Sequence, residues 1–477
     1  MSQLHDLTAL EQAAAVRAGQ VSATELVDHY LERIDRWDAA LGAYVTVTAD
    51  LAHTQAFAAQ QALAEALRDG EPERLSVLHG VPVPVKDLNV VAGVPCRLGS
   101  TVFHRTVEID DHVVARLRAA GVAFLGKTNT PEFGLPCYTE TEIAPPARTP
   151  WDLSRSAGGS SGGAAAAVAG GLAPVAHGSD GGGSIRIPAS VCGLVGLKTS
   201  RGRISNGPLQ DAPGDLPVHG PLARTVADAA ALLDVMAGDF PGDPFPGARP
   251  PPVGGFVGAA AAPPGRLRIG RYAEPVIAEV TVDAECLATW ESTSALLESL
   301  GHQVEDVPRP FGPEVVGTFE NVWAALATLT PVRPEDEARL QPLTQWLRVR
   351  GRALSAPDLM RSLAFLRILA RAAIAGTAPY DVLLTPTLAQ LPALVGGLRD
   401  DADPAADFEA QKRFTPFTSP YNVTGQPALS LPLGWSAGGL PIGVQLIGRP
   451  GDEATLLSLG GQLEEALPWA HRHPDCW

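Results

Sequence analysis

Two serines lie in glycine-rich turns on either side of an apolar run. The segment that holds them, residues 156–188, reads SAGGSSGGAAAAVAGGLAPVAHGSDGGGSIRIP, with Ser160 in the first turn and Ser184 directly after glycines 181–183. Because glycine has no Cβ, such a turn can bend sharply and direct backbone N–H groups at an incoming oxygen beside a serine hydroxyl. The pattern predicts a nucleophilic serine next to an oxyanion hole.

The same segment allows three other interpretations. A flexible linker is disfavoured because residues 164–169, Ile185 and Ile187 carry apolar side chains that favour burial. The G-x-S-x-G pattern about Ser161 is that of a hydrolase nucleophile elbow, but this interpretation leaves the second glycine turn without a purpose. A phosphate loop requires a lysine at G-K-[ST] spacing after the glycines, and none follows there.

The glycine and serine segment resembles that of the amidase signature family. The matching motifs occupy residues 80–87, 126–129, 156–198, 383–387 and 439–445. The resemblance therefore covers most of the chain, and residues 237–374 match only in outline. The resemblance places the family's nucleophile at Ser184, its bridging serine, held on a cis peptide, at Ser160, and the third triad member at Lys86. It also implies one mixed sheet layered between helices.

This resemblance implies a serine–lysine mechanism. Hydrolysis of an amide needs an activated nucleophile, a stabilised oxyanion and a proton for the leaving amine. Ser184 would attack, Ser160 would relay its proton, and a neutral Lys86 would be the base. A free lysine has a pKa near 10.4, so burial must lower it by roughly three units, about 4 kcal/mol. Asp87 would oppose this only if it faced Lys86, and adjacent strand residues point to opposite faces.

Residues around the nucleophile are expected to fix the turn and hold the oxyanion. The backbone groups expected to bind the oxyanion are those of Gly181, Gly182, Gly183 and Ser184. Asp180 and Arg186 flank the turn and are predicted to form an ion pair or hydrogen-bond clamp, while Ser161 and Ser179 hydrogen-bond within their turns. Family members often carry threonine or isoleucine in place of Gly181, which predicts a looser turn and a more open pocket floor here.

Two other kinds of site are alternatives: a Ser-His-Asp triad near the glycine turns and a metal site at the C-terminus. His177 invites a Ser-His-Asp interpretation with its neighbours, but triad members usually come from separate elements, so local packing or hydrogen bonding is predicted. Residues 471–476, HRHPDC, contain metal-capable groups without a recognised spacing and are expected to form a solvated tail. The chain contains no nucleotide or metal motif, so we expect neither a cofactor nor a metal.

Composition narrows the class of protein. The formal net charge of −16 over 477 residues disfavours nucleic-acid and anionic-membrane partners, leaving a small-molecule amide or carbamate as the expected partner of a monomer or homodimer. Five scattered cysteines without C-x-x-C spacing disfavour a disulfide framework. The N-terminal segment does not resemble a secretory signal, and the long uncharged stretches are interrupted by Gly and Pro. We therefore expect a soluble, cytoplasmic protein.

The apolar pattern alternates between helices and strands. A capping box at residues 22–25 predicts a helix, and helical patterns also cover residues 113–120, 282–300, 319–329 and 340–374. Strands are predicted within residues 81–91, 122–126, 267–270, 303–307, 380–387, 427–432 and 441–447. With the resemblance, this alternation implies an α/β fold: one large α/β/α domain over residues 1–477, whose mixed, mostly parallel central sheet is covered by helices.

Three regions of this single domain are distinguished by sequence. The signature core covers about residues 75–205, and the region rich in Pro and Gly at about 237–265 is expected to be an exposed excursion. The divergent, helical region at about 310–375 is predicted to form the substrate pocket. Phe319, Trp323 and Trp346 are the candidates for its wall, although aromatics at helical spacing are also typical of a plain core.

Within the family, the blocks PVAHGSD and SIRIPASVCGLVGLK resemble a branch that holds 6-aminohexanoate-cyclic-dimer hydrolases, aryl acylamidases and urethane-cleaving amidases. This resemblance predicts a serine amidohydrolase for aryl amides, nylon-type oligoamides or carbamates. The alternatives are the glutaminase subunit of a tRNA-dependent amidotransferase and a noncatalytic scaffold. Intact Lys86, Ser160 and Ser184 argue against the scaffold.

Overall fold

The computed structural model describes residues 3–209, 213–245 and 250–477. Its α-helices are α1 (Ala9–Arg17), α2 (Ala23–Leu41), α3 (Ala49–Asp69), α4 (His112–Ala119), α5 (Gly162–Ala169), α6 (Arg186–Cys192), α7 (Val226–Met236), α8 (Gly255–Ala261), α9 (Ala284–Ser299), α10 (Glu314–Ala327), α11 (Pro342–Ala353), α12 (Ala356–Thr377), α13 (Pro404–Phe414), α14 (Pro420–Thr424) and α15 (Glu453–Ala466). Its strands are β1 (Tyr44–Val47), β2 (Val85–Lys86), β3 (Gly126–Thr128), β4 (Val175–Asp180), β5 (Val195–Lys198), β6 (Val218–Ala223), β7 (Arg268–Arg271), β8 (Gln303–Asp306), β9 (Val382–Pro386), β10 (Ala428–Trp435) and β11 (Pro441–Gly448).

Eight of these strands form the central sheet, in the order β4-β6-β5-β10-β11-β9-β7-β8. The sheet is mixed, as expected, but the prediction that it is mostly parallel was wrong. Only β7 pairs in parallel, with β8 and β9, whereas the other neighbouring pairs are antiparallel. The alternation of helix and strand does not reveal this, because a short connection such as that between β10 and β11 returns the chain as an antiparallel hairpin.

Helices cover both faces of the sheet, which gives the expected α/β/α layering. Successive strand residues point to opposite faces. Val175 and Ala223 accordingly pack in the largest apolar cluster, with α7, α9 and α15, whereas Ala176 and Leu222 pack in a second cluster with α5 and α6. Side chains on both faces of β4 and β6 are therefore buried.

A small second sheet, in the order β1-β3-β2, positions the lysine singled out from the sequence. β2 pairs in parallel with β3, so that Lys86 lies beside Thr128 and Val85 beside Lys127. The predicted strand at residues 122–126 is displaced toward its C-terminal end, because only Ala123 makes a bridge, to Pro82, before β3 begins. This sheet packs against β4 of the central sheet.

The region rich in Pro and Gly at residues 237–265 is not simply an exposed excursion. It contains α8, which packs against α7 and α15, and Phe256 of this helix is buried. Asp234 of α7 accepts hydrogen bonds from the backbone N–H groups of Phe256 and Val257, at 2.7 and 3.0 Å. These bonds satisfy donors of the first turn of α8 that have no partner within the helix. Residues 246–249 of this region lie outside the described residues.

The C-terminal segment also differs from the solvated tail that we expected. Cys476 is buried, and its carbonyl accepts a hydrogen bond from Arg33 of α2 at 3.1 Å. The Trp477 indole N–H donates to the Asp6 carboxylate at 2.8 Å, which joins the two ends of the described chain. The five cysteines are free and buried. Within the described residues, no helix has the length and apolar character needed to cross a membrane.

Candidate active site

Lys86 is completely buried between the small sheet and the first glycine turn. Its Nζ lies 2.8 Å from Ser160 Oγ and 3.1 Å from Ser179 Oγ, and it donates to the Ser179 carbonyl at 3.2 Å. These three oxygens are its hydrogen-bond partners among the described residues, and none of them belongs to a carboxylate. The structure thus brings Lys86 and Ser160 together as the resemblance implies.

The electrostatic environment of Lys86 favours its neutral form. Burial lowers its pKa to about 7, against the opposing attraction of Asp180. Asp87, the neighbour that could have cancelled this shift, faces the other way and forms a buried ion pair with Lys127 at 2.7 Å. Lys86, at the end of β2, and Asp87, directly after it, therefore point to opposite sides. The Asp87 carboxylate is paired with Lys127, and the Lys86 amine has no carboxylate partner.

The two glycine turns are held against each other by Ser161. Its backbone N–H donates to the Ser184 carbonyl at 3.1 Å, and its hydroxyl donates to the Ser179 carbonyl at 3.1 Å. Ser179 N–H in turn donates to Ser161 Oγ at 3.3 Å. The peptide bond between Gly159 and Ser160 is cis, as the resemblance implies. Ser161 therefore has the supporting position predicted for it.

Asp180 and Arg186 form the clamp that the sequence predicts, and it organises the second turn. Their side chains are fully buried and 2.8 Å apart, and Asp180 also accepts from the backbone N–H groups of Gly183 and Ile185 at 2.7 and 3.1 Å. Burial alone would raise the pKa of Asp180, but Arg186 more than offsets this and keeps it well below its usual range. The carboxylate is therefore ionised and fixes the turn that ends at Ser184.

One of the predicted oxyanion donors is already used by this clamp. Because Gly183 N–H donates to Asp180, it is not free to bind an oxyanion, and this part of the prediction was wrong. Gly183 has another role: its φ is +136°, and a Cβ there would lie 2.4 Å from Thr418 Oγ1. The backbone N–H groups of Gly181, Gly182 and Ser184 have no hydrogen-bond acceptor among the described residues. These three remain available as donors.

Sequence reasoning missed the partners that complete the clamp. Arg186 also donates to the Thr418 carbonyl, to Asn422 Oδ1 and to Gln445 Oε1, each at 2.7 Å. Thr418 Oγ1 donates to the Gly182 carbonyl at 2.7 Å. These residues lie more than 230 positions after Arg186 in sequence, and Gln445 alone belonged to a motif of the resemblance. Gln445 lies in β11, Asn422 in α14 and Thr418 just before α14, so these contacts depend on how distant segments pack against the turn.

His177 is not part of a Ser-His-Asp triad. It is fully buried in β4, where Nδ1 accepts from the Lys86 backbone N–H at 3.4 Å and Nε2 lies 3.1 Å from His219 Nδ1. This local bonding is what we predicted for it. In the part of the chain that the structure describes, no three His, Cys, Asp or Glu side chains are grouped so that they could hold a metal ion.

A small apolar cavity of about 70 Å³ opens beside Ser184. Phe319 and Trp323 of α10 line it, stacked with their ring centroids 5.5 Å apart. Trp346 does not line it, because α11 directs this ring at the outer side of Phe408, with centroids 5.7 Å apart. The other lining residues are Leu135, Cys137, Gly182, Ile187, Ile277, Val316, Glu320, Phe408, Gln411, Lys412, Thr415 and Ser419.

The Trp323 indole lies against the pocket floor at Gly181. A Cβ at Gly181 would lie 3.4 Å from the Trp323 ring, so this indole occupies the space that a larger side chain would need. The absence of a side chain at Gly181 is therefore accompanied by a large side chain, that of Trp323, at the same place.

Comparisons with known proteins agree with this architecture. A family model described as Amidase matches residues 25–457. The 6-aminohexanoate-cyclic-dimer hydrolase of Paenarthrobacter ureafaciens is 36% identical over 497 residues, covering 98% of this chain and 96% of the relative. The solved structure of a 6-aminohexanoate cyclic dimer hydrolase matches with a TM-score of 0.91 and 33% identity, over 100% of both chains.

A second solved structure comes from a bacterial aryl acylamidase that belongs to the amidase signature enzymes. It matches with a TM-score of 0.85 and 27% identity, over 98% of each chain. Sequence and structure therefore agree over nearly the whole length of the chain, including both glycine turns. The chain belongs to the amidase signature family, whose members named here hydrolyse C–N bonds of amides.

Proposed function

We propose that this amidase cleaves small amides through an acyl-enzyme on Ser184, with Ser160 as the proton relay and Lys86 as the base. The observation that carries the proposal is the position of a buried amine, whose pKa is lowered by burial to about 7, at 2.8 Å from Ser160 Oγ. A lysine with this pKa is about half neutral near pH 7, and the neutral form can accept a proton from a serine hydroxyl.

The hydrogen bonds of Lys86 leave its lone pair for Ser160. A neutral amine has two hydrogens and one lone pair. The two oxygens of Ser179 accept the hydrogens, at 3.1 and 3.2 Å. The lone pair can then accept the Ser160 hydroxyl proton across the remaining 2.8 Å contact. Ser179, which we had expected only to stabilise its own turn, thereby orients the base.

In the acylation step, Ser184 Oγ attacks the carbonyl carbon of the amide. Its proton passes to Ser160, while the proton of Ser160 passes to Lys86. The N–H groups of Gly181, Gly182 and Ser184 stabilise the negative charge that forms on the carbonyl oxygen. When the C–N bond breaks, the proton returns through Ser160 to the leaving nitrogen. Water then attacks the ester carbon, with the same groups accepting its proton, and releases the carboxylic acid and the Ser184 hydroxyl.

The substrate class follows from the small cavity and the named relatives. The acyl part is bonded to Ser184 after the first step, so it occupies the apolar cavity that Phe319 and Trp323 line. An acyl group with a short aliphatic or aromatic substituent fits these walls. The relatives named as cyclic-dimer hydrolase and aryl acylamidase support nylon-type amides and anilides as substrates. We include carbamates: cleavage of their C–N bond would leave a carbonate ester on Ser184, and its hydrolysis would release a half-ester of carbonic acid that loses CO₂.

The test is amine release by the purified wild type and by Ser184→Ala, on short aliphatic amides, anilides, carbamates and glutamine. We expect turnover of amides by the wild type alone, without an added protein, and a loss of at least about 10³-fold in Ser184→Ala. Trapping of the acyl-enzyme by acid quench should give an adduct on the peptide that contains Ser184. An active Ser184→Ala variant, or cleavage of glutamine only with a partner fraction, would contradict the proposal.

A further inference from the structure

A second cavity, of about 420 Å³, lies on the Lys86 side of the site. Ser179, whose hydroxyl is 3.1 Å from Lys86 Nζ, forms part of its wall, as do His219 and Arg105. Leu88 and Phe133 contribute apolar surface. The catalytic steps above do not use this cavity, nor do they use the histidine in its wall.

This cavity lies on the side of the site where the amine half of the substrate is expected to bind. In the proposed mechanism, the leaving nitrogen receives its proton from Ser160, which takes it from Lys86. The amine half of the substrate must therefore lie toward these two residues, whereas the acyl half lies in the apolar cavity at Ser184. The cavity that shares the Ser179 wall is the space on that side.

Hydrogen bonding fixes the tautomers of His219, in the wall of this cavity, and of His177, which contacts it. The Lys86 backbone N–H donates to His177 Nδ1, so this nitrogen carries no hydrogen. In a neutral ring the hydrogen is then on Nε2, which donates to His219 Nδ1 at 3.1 Å. His219 Nδ1 is consequently an acceptor, and its own hydrogen is on Nε2. The backbone of Lys86 thus determines which nitrogen of His219 is a donor.

Both rings are neutral at ordinary pH. Burial, followed by the positive charge of Lys86 when protonated, lowers the pKa of His219 to about 4. Burial also lowers the pKa of His177 well below its usual value, with His219 and Lys86 contributing. His219 Nε2 has no hydrogen-bond partner within residues 3–209, 213–245 and 250–477. The sole hydrogen of this ring is therefore available to a bound molecule.

We infer that His219, oriented by His177, binds a carbonyl or carboxylate oxygen on the amine half of the substrate, through Nε2–H in the cavity beside Ser179. The preferred substrates are then amides whose leaving amine has a hydrogen-bond acceptor on its chain. Arg105 lines the same cavity and is exposed, so its guanidinium adds a preference for a carboxylate. This inference rests on the proposed function.

The test compares N-pentylbutanamide with two analogues whose pentyl chain ends in a carboxamide or a carboxylate. The acyl group is the same in all three, so differences in kcat/KM report the amine half. The wild type should prefer both analogues, and His219→Asn should reduce that preference about 5- to 10-fold, relative to its own rate on N-pentylbutanamide. His219→Gln, whose side-chain amide reaches the position of Nε2, should retain most of the preference. Arg105→Gln should lower the rate only on the carboxylate.

The matched control is His302→Asn, which removes a buried histidine beside β8, at the far edge of the sheet, and should leave the preference unchanged. Equal wild-type rates on the three amides, or an undiminished preference in His219→Asn, would overturn the inference while the proposed function stands. If the wild type cleaves none of the three amides or the wider panel, the proposed function fails and the inference fails with it.

Discussion

At the scale of single residues, the site depends on which polar groups are already satisfied. Lys86 is left without a carboxylate partner, whereas Asp87 and Asp180 are each paired with another cation. The sequence resemblance singled out Lys86 and Ser160, whose side chains lie 2.8 Å apart in the structure. It could not show that Gly183 N–H is used by Asp180, because a local pattern of glycines does not state which N–H points inward.

The state of Lys86 gives a prediction for pH dependence. Below its pKa of about 7 the amine is protonated and cannot accept the Ser160 proton. We expect kcat/KM for a neutral amide to rise about tenfold per pH unit up to about pH 7 and then to level off, because the active form is the deprotonated one. Initial rates between pH 5 and 9 test this. Lys86→Met should lose most activity while remaining folded, and a flat wild-type profile would contradict the assignment.

At the scale of elements, the sequence predicted the presence of helices and strands better than the direction in which neighbouring strands pair. The capping box of Ser22 and Glu25 begins α2 as expected, and the strands at β8, β9 and β11 lie within one or two residues of their predicted bounds. The pattern of apolar residues in a helix or strand indicates which of its faces is buried. It does not report the direction of the neighbouring strand, so the antiparallel pairs were missed. The wall of the small cavity was predicted in part for the same reason, since helical spacing does not distinguish Trp323 from Trp346.

The position of α10 gives a prediction for acyl selectivity. Trp323 fills the space above Gly181 and lines the cavity at Ser184, so Trp323→Ala should enlarge the acyl site. We expect kcat/KM to shift toward longer or branched acyl groups by about tenfold relative to acetyl, measured on a series with one common amine. Trp346→Phe, which keeps a ring against Phe408, serves as the control and should leave the ranking as it is. An unchanged ranking in Trp323→Ala would remove this residue from the pocket.

At the scale of the whole molecule, the two ends of the described chain are joined to each other. Trp477 lies against His5, with ring centroids 5.0 Å apart, and Arg224 lies 4.5 Å above its ring. Arg33 binds the carbonyls of Gly171 and Cys476, at 2.7 and 3.1 Å, and so connects the C-terminal segment to the end of α5. The composition of residues 471–476 resembles a solvated tail because its charged and histidine side chains are exposed, whereas Pro474 and Cys476 are buried.

This junction predicts a loss of stability without a loss of chemistry. Trp477→Ala removes an indole hydrogen bond, a cation–π contact and two ring contacts, so we expect it to lower the free energy of unfolding by about 1–2 kcal/mol. The midpoint of denaturant unfolding measures this, with kcat/KM on a good amide as the parallel readout. Trp477→Phe should recover part of the loss through ring packing. An unaltered midpoint, or a selective loss of activity, would contradict this description.

Because the five cysteines are buried, the rate at which their thiols are labelled can measure local opening of the structure. Desolvation raises the pKa of all five thiols, so alkylating reagents should react with them only when the surrounding structure opens. The thiols lie in five separate regions: Cys96, Cys137, Cys192, Cys286 and Cys476. Labelling rates resolved by peptide mass would therefore time the opening of each region separately, and Cys137, in the wall of the acyl cavity, would report whether an acyl group is bound there.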